Sequence, residues 1–186
     1  MTKPARPRQR YVAFLRAINV GGRFVKMDVL RAAFSGLRFT DVETFIASGN
    51  VLFSAPTSAQ PSALEEAIER RLEKTLGYDV ATFVRTPAEL AELVRDEPWA
   101  DRDSAATLWT GFLKTAVTEE VRHALRALRS DVEEIDARGR EVYWLRRSVE
   151  MAALRTGAKI DKALRAPVTF RNVTTVRKLA EKLSAG

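Results

Sequence analysis

The chain has 186 residues, of which 46% are hydrophobic and 30% are charged, and its formal net charge is +7. Such a composition is typical of a globular protein with a core of its own and excludes a disordered chain. The absence of cysteine excludes disulfides, thiol catalysis, cysteine-ligated zinc and iron–sulfur clusters, and a single histidine leaves little for an imidazole metal site. We therefore predict no metal and no cofactor. No apolar run approaches the ~20 residues that cross a bilayer, and no secretory signal opens the chain, so we expect a cytoplasmic protein.

The basic residues concentrate at the two ends of the chain. Four lie in Met1–Arg10, and eight lie in Leu154–Gly186 against two acidic residues. Residues 1–10 are expected to form a disordered basic tail, because Pro4 and Pro7 interrupt them. Basic ends favour phosphate-bearing partners through long-range attraction.

The first half of the chain predicts four strands and three helices. The strands are Tyr11–Ile18, Val42–Ala47, Val51–Ser54 and Val80–Val84, and the helices are Met27–Ser35, Ser62–Leu76 and Pro87–Arg95. In the second helix, Leu64, Ile68 and Leu72 recur at helical spacing and are expected to face a core. Glu65 and Glu69 are expected on the opposite, solvent-facing side of that helix.

The second half predicts the same order of elements. The strands are Leu108–Lys114, Glu133–Ala137, Glu141–Arg146 and Val168–Phe170, and the helices are Glu119–Leu128, one within Val149–Leu164, and Val173–Leu183. Thr86 and Asn172 are suitable N-caps for the last helix of each half. A boundary is expected in Asp96–Ala106, where Pro98 and four acidic residues interrupt the pattern. The predicted lobes are therefore residues 11–96 and 106–186.

Three short segments of the first half recur in the same order in the second half. They are Ala13–Arg16 with Gly111–Lys114, Asp41–Phe53 with Asp131–Tyr143, and Thr82–Arg85 with Thr169–Arg171. Such ordered recurrence favours an internal duplication. Each half has the element order of the ferredoxin-like βαββαβ plait. The predicted fold class is therefore α+β, with two ferredoxin-like lobes that are each followed by an extra helix.

The plait topology predicts a binding site at one edge of the first lobe. The loop after the first strand and the tip of the hairpin are expected at that edge, and the offset between the halves places extra chain at or near Ile18–Lys26. Glycines there admit a ligand closely, basic side chains supply charge, and the helix that opens near Met27 offers backbone N–H groups to an anion. The candidate ligand-binding residues are Arg16, Asn19, Gly21, Gly22, Lys26, Ser48 and Asn50.

Turn chemistry is the alternative explanation for this pattern. Gly21-Gly22 can simply let the chain turn, and Gly49-Asn50 can simply close a tight hairpin. A secondary candidate site combines Arg171, Asn172 and Lys178 at the final helix. Its alternative is that Asn172 caps the helix and Arg171 pairs with a carboxylate.

The remaining polar and aromatic candidates are interpreted as structural. His123 is expected at the surface, and the pair Glu133-Glu134 is expected on an exposed strand edge. Trp99, Trp109 and Trp144 are expected to pack in a core or at an interface rather than stack on bases. No catalytic constellation is identified, so the sequence does not define an enzyme.

Ordered motifs along the chain resemble the bacterial domain of unknown function 1697 family. They are Arg16–Gly22, Ser48–Val51, Thr169–Asn172 and Thr175–Ala180, within a resemblance that spans Tyr11 to about Leu183. The resemblance implies a two-lobed α+β fold of ferredoxin-like halves and no particular reaction. The chain departs from the family pattern at Ala17, where glycine is common, and at Val173, where tryptophan is common. A Ser-Lys pair before the penultimate helix is also missing.

The predicted function is binding of a small anionic ligand, a phosphate or a carboxylate, at the edge of the first lobe. The alternative is a nucleic-acid-binding protein that uses its basic termini. RNA-recognition modules share this element order and carry stacking aromatics on their central strands. Tyr11, Phe14 and Phe53 fit that pattern poorly, because Tyr11 and Phe14 point to opposite faces of one strand. No membrane partner is predicted.

Overall fold

A computed structural model describes residues 7–19, 24–46, 49–147 and 152–184, with the side chains of 152–155 outside that description. Within these residues the protein has eight strands and six helices, and the strands form two four-stranded antiparallel sheets. The chain divides into two compact units. The first comprises Met1–Glu92 and Leu179–Gly186, and the second comprises Leu93–Lys178.

The first sheet belongs to the first unit and has the strand order β2-β3-β1-β4. Its elements are β1 (Arg8–Leu15), α1 (Met27–Ser35), β2 (Thr40–Thr44), β3 (Asn50–Pro56), α2 (Pro61–Leu76) and β4 (Thr82–Arg85), and α3 (Pro87–Arg95) follows. Each neighbouring pair of strands is antiparallel. The strand that begins the unit therefore lies inside the sheet, between β3 and β4.

The second sheet belongs to the second unit and has the corresponding order β6-β7-β5-β8. Its elements are β5 (Thr107–Phe112), α4 (Glu119–Arg126), β6 (Glu133–Arg138), β7 (Glu141–Arg146), α5 (Ala152–Leu164) and β8 (Thr169–Asn172), followed by α6 (Val173–Ser184). Every strand and helix predicted from the sequence is present, with boundaries that differ by a few residues. The α+β class and the two sheets are therefore established.

The core of the first unit forms where apolar side chains alternate along β1 and recur along α2. Tyr11 and Phe53 stack with ring centroids 5.7 Å apart, and Phe39 stacks on Phe53 at 4.6 Å. Leu64, Ile68 and Leu72 are buried in the same cluster. The helical spacing therefore identified this face of α2 correctly.

Two carboxylates of α2 contact the edge strand β4. Glu65 is only 2% exposed, and its Oε1 accepts a hydrogen bond from the backbone N of Val84 at 2.8 Å. Oε1 of Glu69 accepts one from the backbone N of Thr82 at 2.9 Å. The prediction that Glu65 faces solvent is wrong, because an edge strand has backbone donors that require acceptors when they are covered.

The predicted N-caps of α3 and α6 are confirmed. Thr86 Oγ1 accepts a hydrogen bond from the backbone N of Glu89 at 3.2 Å, and the Glu89 carboxylate accepts one from the backbone N of Thr86 at 2.8 Å. This reciprocal pair is a capping box. Asn172 Oδ1 accepts a hydrogen bond from the backbone N of Thr174 at 2.8 Å.

The basic N-terminal residues differ in part from the predicted disordered tail. β1 begins at Arg8, because Arg8–Arg10 pair with Ser54–Pro56 of β3. The Arg8 guanidinium also donates to the backbone O of Ser54 at 2.8 Å. The tail prediction is therefore wrong for these three residues, and residues 1–6 lie outside the described chain.

The compact units divide the chain between Glu92 and Leu93, just before the predicted boundary segment. Leu179–Gly186, which we expected in the second lobe, belong to the first unit. Within that unit, the Lys182 ammonium lies 2.8 Å from the Glu43 carboxylate. A charged contact of this kind joins residues far apart in sequence, and local patterns do not predict it.

The second unit buries aromatic and charged side chains together. Trp144 lies in its core, where Phe170 packs edge-on at 5.9 Å, and Trp109 and Trp99 pack against its apolar clusters. The three tryptophans are thus packing residues, as predicted. His123 is exposed on α4, also as predicted.

Glu133 corrects another sequence prediction. We expected it on an exposed edge, but it is 6% exposed. Its carboxylate accepts hydrogen bonds from Trp144 Nε1 at 3.1 Å and from Thr156 Oγ1 at 2.6 Å. Both partners come from other elements of the unit, so the strand pattern of β6 does not reveal the burial.

The extra chain of the first unit is split between two connections. Eleven residues link β1 to α1, whereas six link β5 to α4. Five residues link β2 to β3, whereas two link β6 to β7. The prediction that all of the extra chain lies at or near Ile18–Lys26 is therefore wrong in part. It assumed that the sequence offset between the two halves is constant along the hairpin, and the strands of the two sheets do not keep that offset.

Candidate functional site

The β1–α1 loop and the β2–β3 hairpin meet at one end of the first sheet. The backbone N of Leu15 donates to the backbone O of Gly49 at 2.8 Å. A Cβ atom placed on Gly49 would lie 3.1 Å from Cβ of Ile18. The described residues of these two connections, 16–19, 24–26, 45–46 and 49, together with Asn50 at the start of β3, are called the rim. The two segments converge as the strand topology predicted.

Gly49 has a structural reason to be glycine. Its φ is +74°, in the left-handed region, and a Cβ there would lie 3.0 Å from the backbone O of Leu15. Only a residue without a side chain allows both the turn and the close approach of the two loops. Turn chemistry therefore accounts for this glycine, as the alternative interpretation held.

Two predicted amides hold the loops of the rim in place. Oδ1 of Asn19 accepts a hydrogen bond from the backbone N of Val25 at 2.7 Å, which closes the β1–α1 loop on itself. Nδ2 of the buried Asn50 donates to the backbone O of Phe45 at 3.0 Å. These contacts give both residues a positioning role. Their predicted role in orienting a ligand stays a prediction.

The positive charges of the rim lie on Arg16 and Lys26. Arg16 is partly exposed, and its backbone N donates to the backbone O of Ala81 at 2.9 Å. Lys26 is exposed and occupies the N-cap position of α1, where its side chain makes no capping hydrogen bond. A lysine cannot accept a hydrogen bond from the first-turn N–H groups. The start of α1 thus combines a side-chain cation with the positive end of a helix.

Three of the predicted ligand-binding residues lie outside the described chain. These are Gly21, Gly22 and Ser48. The described part of the candidate site therefore consists of Arg16, Lys26 and the residues that position them.

The rim also carries exposed apolar side chains that sequence reasoning missed. Phe24 is 80% exposed and Ile46 is 53% exposed, one on each connection. Ile46 has a φ of +55°, which is rare for a β-branched residue. The sequence signal that could have identified both residues is that they are large and apolar but lie outside any periodic pattern. Strained backbone of this kind is often found at functional sites.

Ala17 lies at a backbone position that favours glycine. Its φ is +57°, and glycine is common at this position in the family that the chain resembles. We expect Ala17→Gly to stabilise the protein by about 0.5–1 kcal/mol, because glycine removes the left-handed strain of alanine. The melting temperature should rise by about 1–4 °C in differential scanning calorimetry.

Ala32 provides the matched control for this substitution. It lies on the exposed face of α1, in right-handed helix, so Ala32→Gly should destabilise the protein by about 1 kcal/mol. A lowered melting temperature for Ala17→Gly would contradict the proposed strain.

Two of the three residues of the secondary candidate site make hydrogen bonds within the protein. Asn172 caps α6, as described above. Nη1 of the buried Arg171 donates to Oγ1 of Thr169 and to the backbone O of Phe170, each at 2.8 Å. Burial lowers the pKa of the Arg171 guanidinium to about 10, so it stays charged near neutral pH. Lys178 is exposed on α6.

Across the described residues, His, Asp and Glu side chains do not come together in any group of three or more that could hold a metal ion. In the same part of the chain, the helices are all too short or too polar to span a bilayer.

The fold and the rim define a class: an α+β protein with two similar antiparallel sheets and a candidate ligand-binding loop cluster. The chain belongs to the family described as Protein of unknown function (DUF1697), which matches residues 8–143. This range contains the whole rim and the motifs Arg16–Gly22 and Ser48–Val51, and it confirms the family that the motifs indicated. The motifs Thr169–Asn172 and Thr175–Ala180 lie outside the matched range.

The chain is also similar to a solved structure, that of the conserved bacterial protein SP0830 from Streptococcus pneumoniae. The two chains are 24% identical, the TM-score is 0.74, and the match covers 95% of this chain and 99% of that chain. At this identity the likeness shows the fold alone. Among curated proteins, none has significant similarity to the chain.

Proposed function

We propose that the protein binds a small anionic ligand, a phosphate or a carboxylate, at the rim of the first unit. The observation that carries the proposal is the start of α1, where Lys26 occupies the N-cap position and its side chain caps none of the first-turn N–H groups. Helix N-termini bind anions through these groups and through the positive end of the helix dipole. The extra chain in both connections supports the proposal, since binding residues concentrate on loops held by a rigid scaffold.

The magnitude of these contributions limits the affinity. A helix N-terminus and one exposed lysine each contribute only modestly to anion binding in water. Inorganic phosphate alone is therefore expected to bind with a Kd of about 1 mM or weaker. The biological ligand needs further contacts, and the exposed Phe24 lies at the rim, where it could supply one.

A titration series tests the proposed site. A panel of phosphates and carboxylates should include compounds that shift the amide resonances of residues 24–28 and raise the melting temperature. Lys26→Gln should weaken their binding by about fivefold, and Lys26→Arg should largely retain it.

Lys74 supplies the control, because it is an exposed lysine in the last turn of α2. Lys74→Gln should leave binding unchanged. A panel without any stabilising anion, or equal binding by the wild type and Lys26→Gln, would reject the proposed function.

The burial of three aromatic residues removes one argument for the alternative of nucleic-acid binding. Tyr11, Phe14 and Phe53 are fully buried, so they cannot form a stacking platform for bases. Binding through the basic termini stays a prediction, and a salt series tests it, because contacts to several phosphates weaken steeply with salt. The cytoplasmic location also stays a prediction.

We further infer that each unit is a ferredoxin-like plait and that the two arose by duplication. The order of elements and the matching strand orders support this. A pair of buried arginines supports it independently. Arg85 lies opposite Val12 at the end of β4, and Arg171 lies opposite Thr110 at the corresponding place in β8. Each of them directly precedes the N-cap of a helix.

A further inference from the structure

A groove between α4 and α5 lies in the second unit, and the residues that line it are not those of the rim. Its cavity volume is about 450 Å³, and its apolar lining consists of Val121, Ala124, Leu128 and Ala163. Volumes of this size are typical of small-molecule sites. The groove therefore has the dimensions of a binding site for a single ligand.

The apolar lining is part of the core surface. Val121, Leu128 and Ala163 pack against the buried cluster of the second unit and remain partly exposed. Ala124 is exposed on the same side of α4. Contiguous apolar surface in contact with water favours an apolar occupant, because covering it removes that surface from solvent.

The edge of the groove formed by α5 is strongly basic. Lys159 and Lys162 line it from one side of the helix, three residues apart, and Arg165 lines it just beyond the end of α5. All three are exposed, and none forms an ion pair with another residue of the described chain. Among the described residues that line the groove, only Glu120 of α4 is acidic. The charges therefore favour an occupant with a negative group.

In the corresponding helix pair of the first unit, α1 and α2, a long side chain of α2 reaches the end of α1. There the Arg71 guanidinium lies against Gly36 at the end of α1, so close that a Cβ on Gly36 would fall 2.0 Å from Arg71 Nη2. The groove between α4 and α5 has the apolar side chains of Val121, Ala124, Leu128 and Ala163 in its lining instead.

We propose that this groove binds a soluble amphiphilic anion, namely a carboxylate with a single alkyl chain. The chain would cover Val121, Ala124 and Leu128, and the carboxylate would lie beside Lys159 and Lys162. The volume suits one such molecule, which favours a free carboxylate over a bilayer or a folded partner.

A chain-length series with octanoate, nonanoate and decanoate, below their micelle concentrations, tests the proposal by isothermal titration calorimetry. The Kd should fall about three- to fourfold for each added methylene that the groove covers. Added salt should weaken binding, since the carboxylate pairs with exposed cations. Decyltrimethylammonium, with the same chain and a positive head, should bind at least tenfold more weakly than decanoate.

Two variants locate the site. The double variant Lys159→Gln/Lys162→Gln should weaken decanoate binding at least fivefold and reduce its salt dependence. Ala124→Trp should abolish binding by filling the groove from an exposed position, where folding does not require a small residue. Lys74→Gln, in the first unit, should behave as the wild type.

Three results would overturn the proposal. The first is that the wild type fails to bind decanoate at millimolar concentration. The second is that decanoate binds Ala124→Trp unchanged. The third is that the protein binds anionic phosphatidylglycerol vesicles or an acidic amphipathic peptide but not the free carboxylate. None of these outcomes depends on anion binding at the rim.

Discussion

Glu97→Gln is expected to destabilise the second unit by about 2–4 kcal/mol. The Glu97 side chain is 3% exposed and pairs with two arginines. Its Oε1 lies 2.5 Å from Arg102 Nη1, and the Arg177 guanidinium donates to both of its oxygens, at 2.8 and 2.9 Å. The substitution leaves the largely buried Arg102 without its counter-charge. Arg177 is half exposed, so water compensates part of its loss.

Tryptophan fluorescence measures this effect selectively. All three tryptophans of the chain, Trp99, Trp109 and Trp144, lie in the second unit. Urea unfolding followed by their emission should show a lower midpoint for Glu97→Gln. The exposed Asp101 in the same segment supplies the control, and Asp101→Asn should change stability by less than about 0.5 kcal/mol. An unchanged midpoint for Glu97→Gln would show that the ionic cluster does not stabilise the unit.

Gly49→Ala is expected to destabilise the first unit by about 2–4 kcal/mol and to disrupt the rim. Two effects add: left-handed backbone costs alanine about 1–2 kcal/mol, and the new Cβ meets the backbone O of Leu15 at 3.0 Å. Backbone atoms cannot rotate away, so the loops must separate. Anion binding at the rim should be lost together with the stability.

Gly77 offers a matched control because it has a φ of +79° and no atom within 4 Å of an added Cβ. Gly77→Ala should therefore cost about 1 kcal/mol, which is the backbone strain alone. Amide hydrogen exchange in β1 and β3 measures both variants, since the tryptophans do not report on this unit. Equal losses for the two variants would contradict the role of the close approach at Gly49.

Local patterns predicted the elements of this fold well. α1 and α3 have the predicted boundaries, and Thr86 and Asn172 cap the helices as expected. Apolar periodicity and capping act within a few residues, so the sequence of a segment contains the information. The convergence of the two loops at the rim also followed, because strand order constrains which loops share an end of a sheet.

The burial of charged groups could not be predicted in the same way. Glu65 and Glu133 are acidic residues in patterns that indicate solvent exposure, yet both are buried. Their partners, the backbone of Val84 and the side chains of Trp144 and Thr156, are distant in sequence. A buried carboxylate is stable only when such donors meet it.

The candidate site was likewise predicted only in part from the sequence. The sequence indicated the basic residues Arg16 and Lys26 and the loops that contain them. It did not indicate that Asn19 and Asn50 use their amides to hold those loops, or that Phe24 and Ile46 extend into solvent. Side-chain hydrogen bonds to backbone groups depend on loop conformation, which periodicity does not encode.

The sequence by itself determined the order and type of the elements, the family, and the end of the first sheet at which a site is expected. These depend on interactions between near neighbours and on general rules of chain connection. The tertiary structure alone decided which carboxylates are buried and where the extra loop residues lie. It also decided that an apolar groove with a basic edge opens between α4 and α5. Those features arise where segments distant in sequence come into contact, and their energies depend on atoms that only the folded chain brings together.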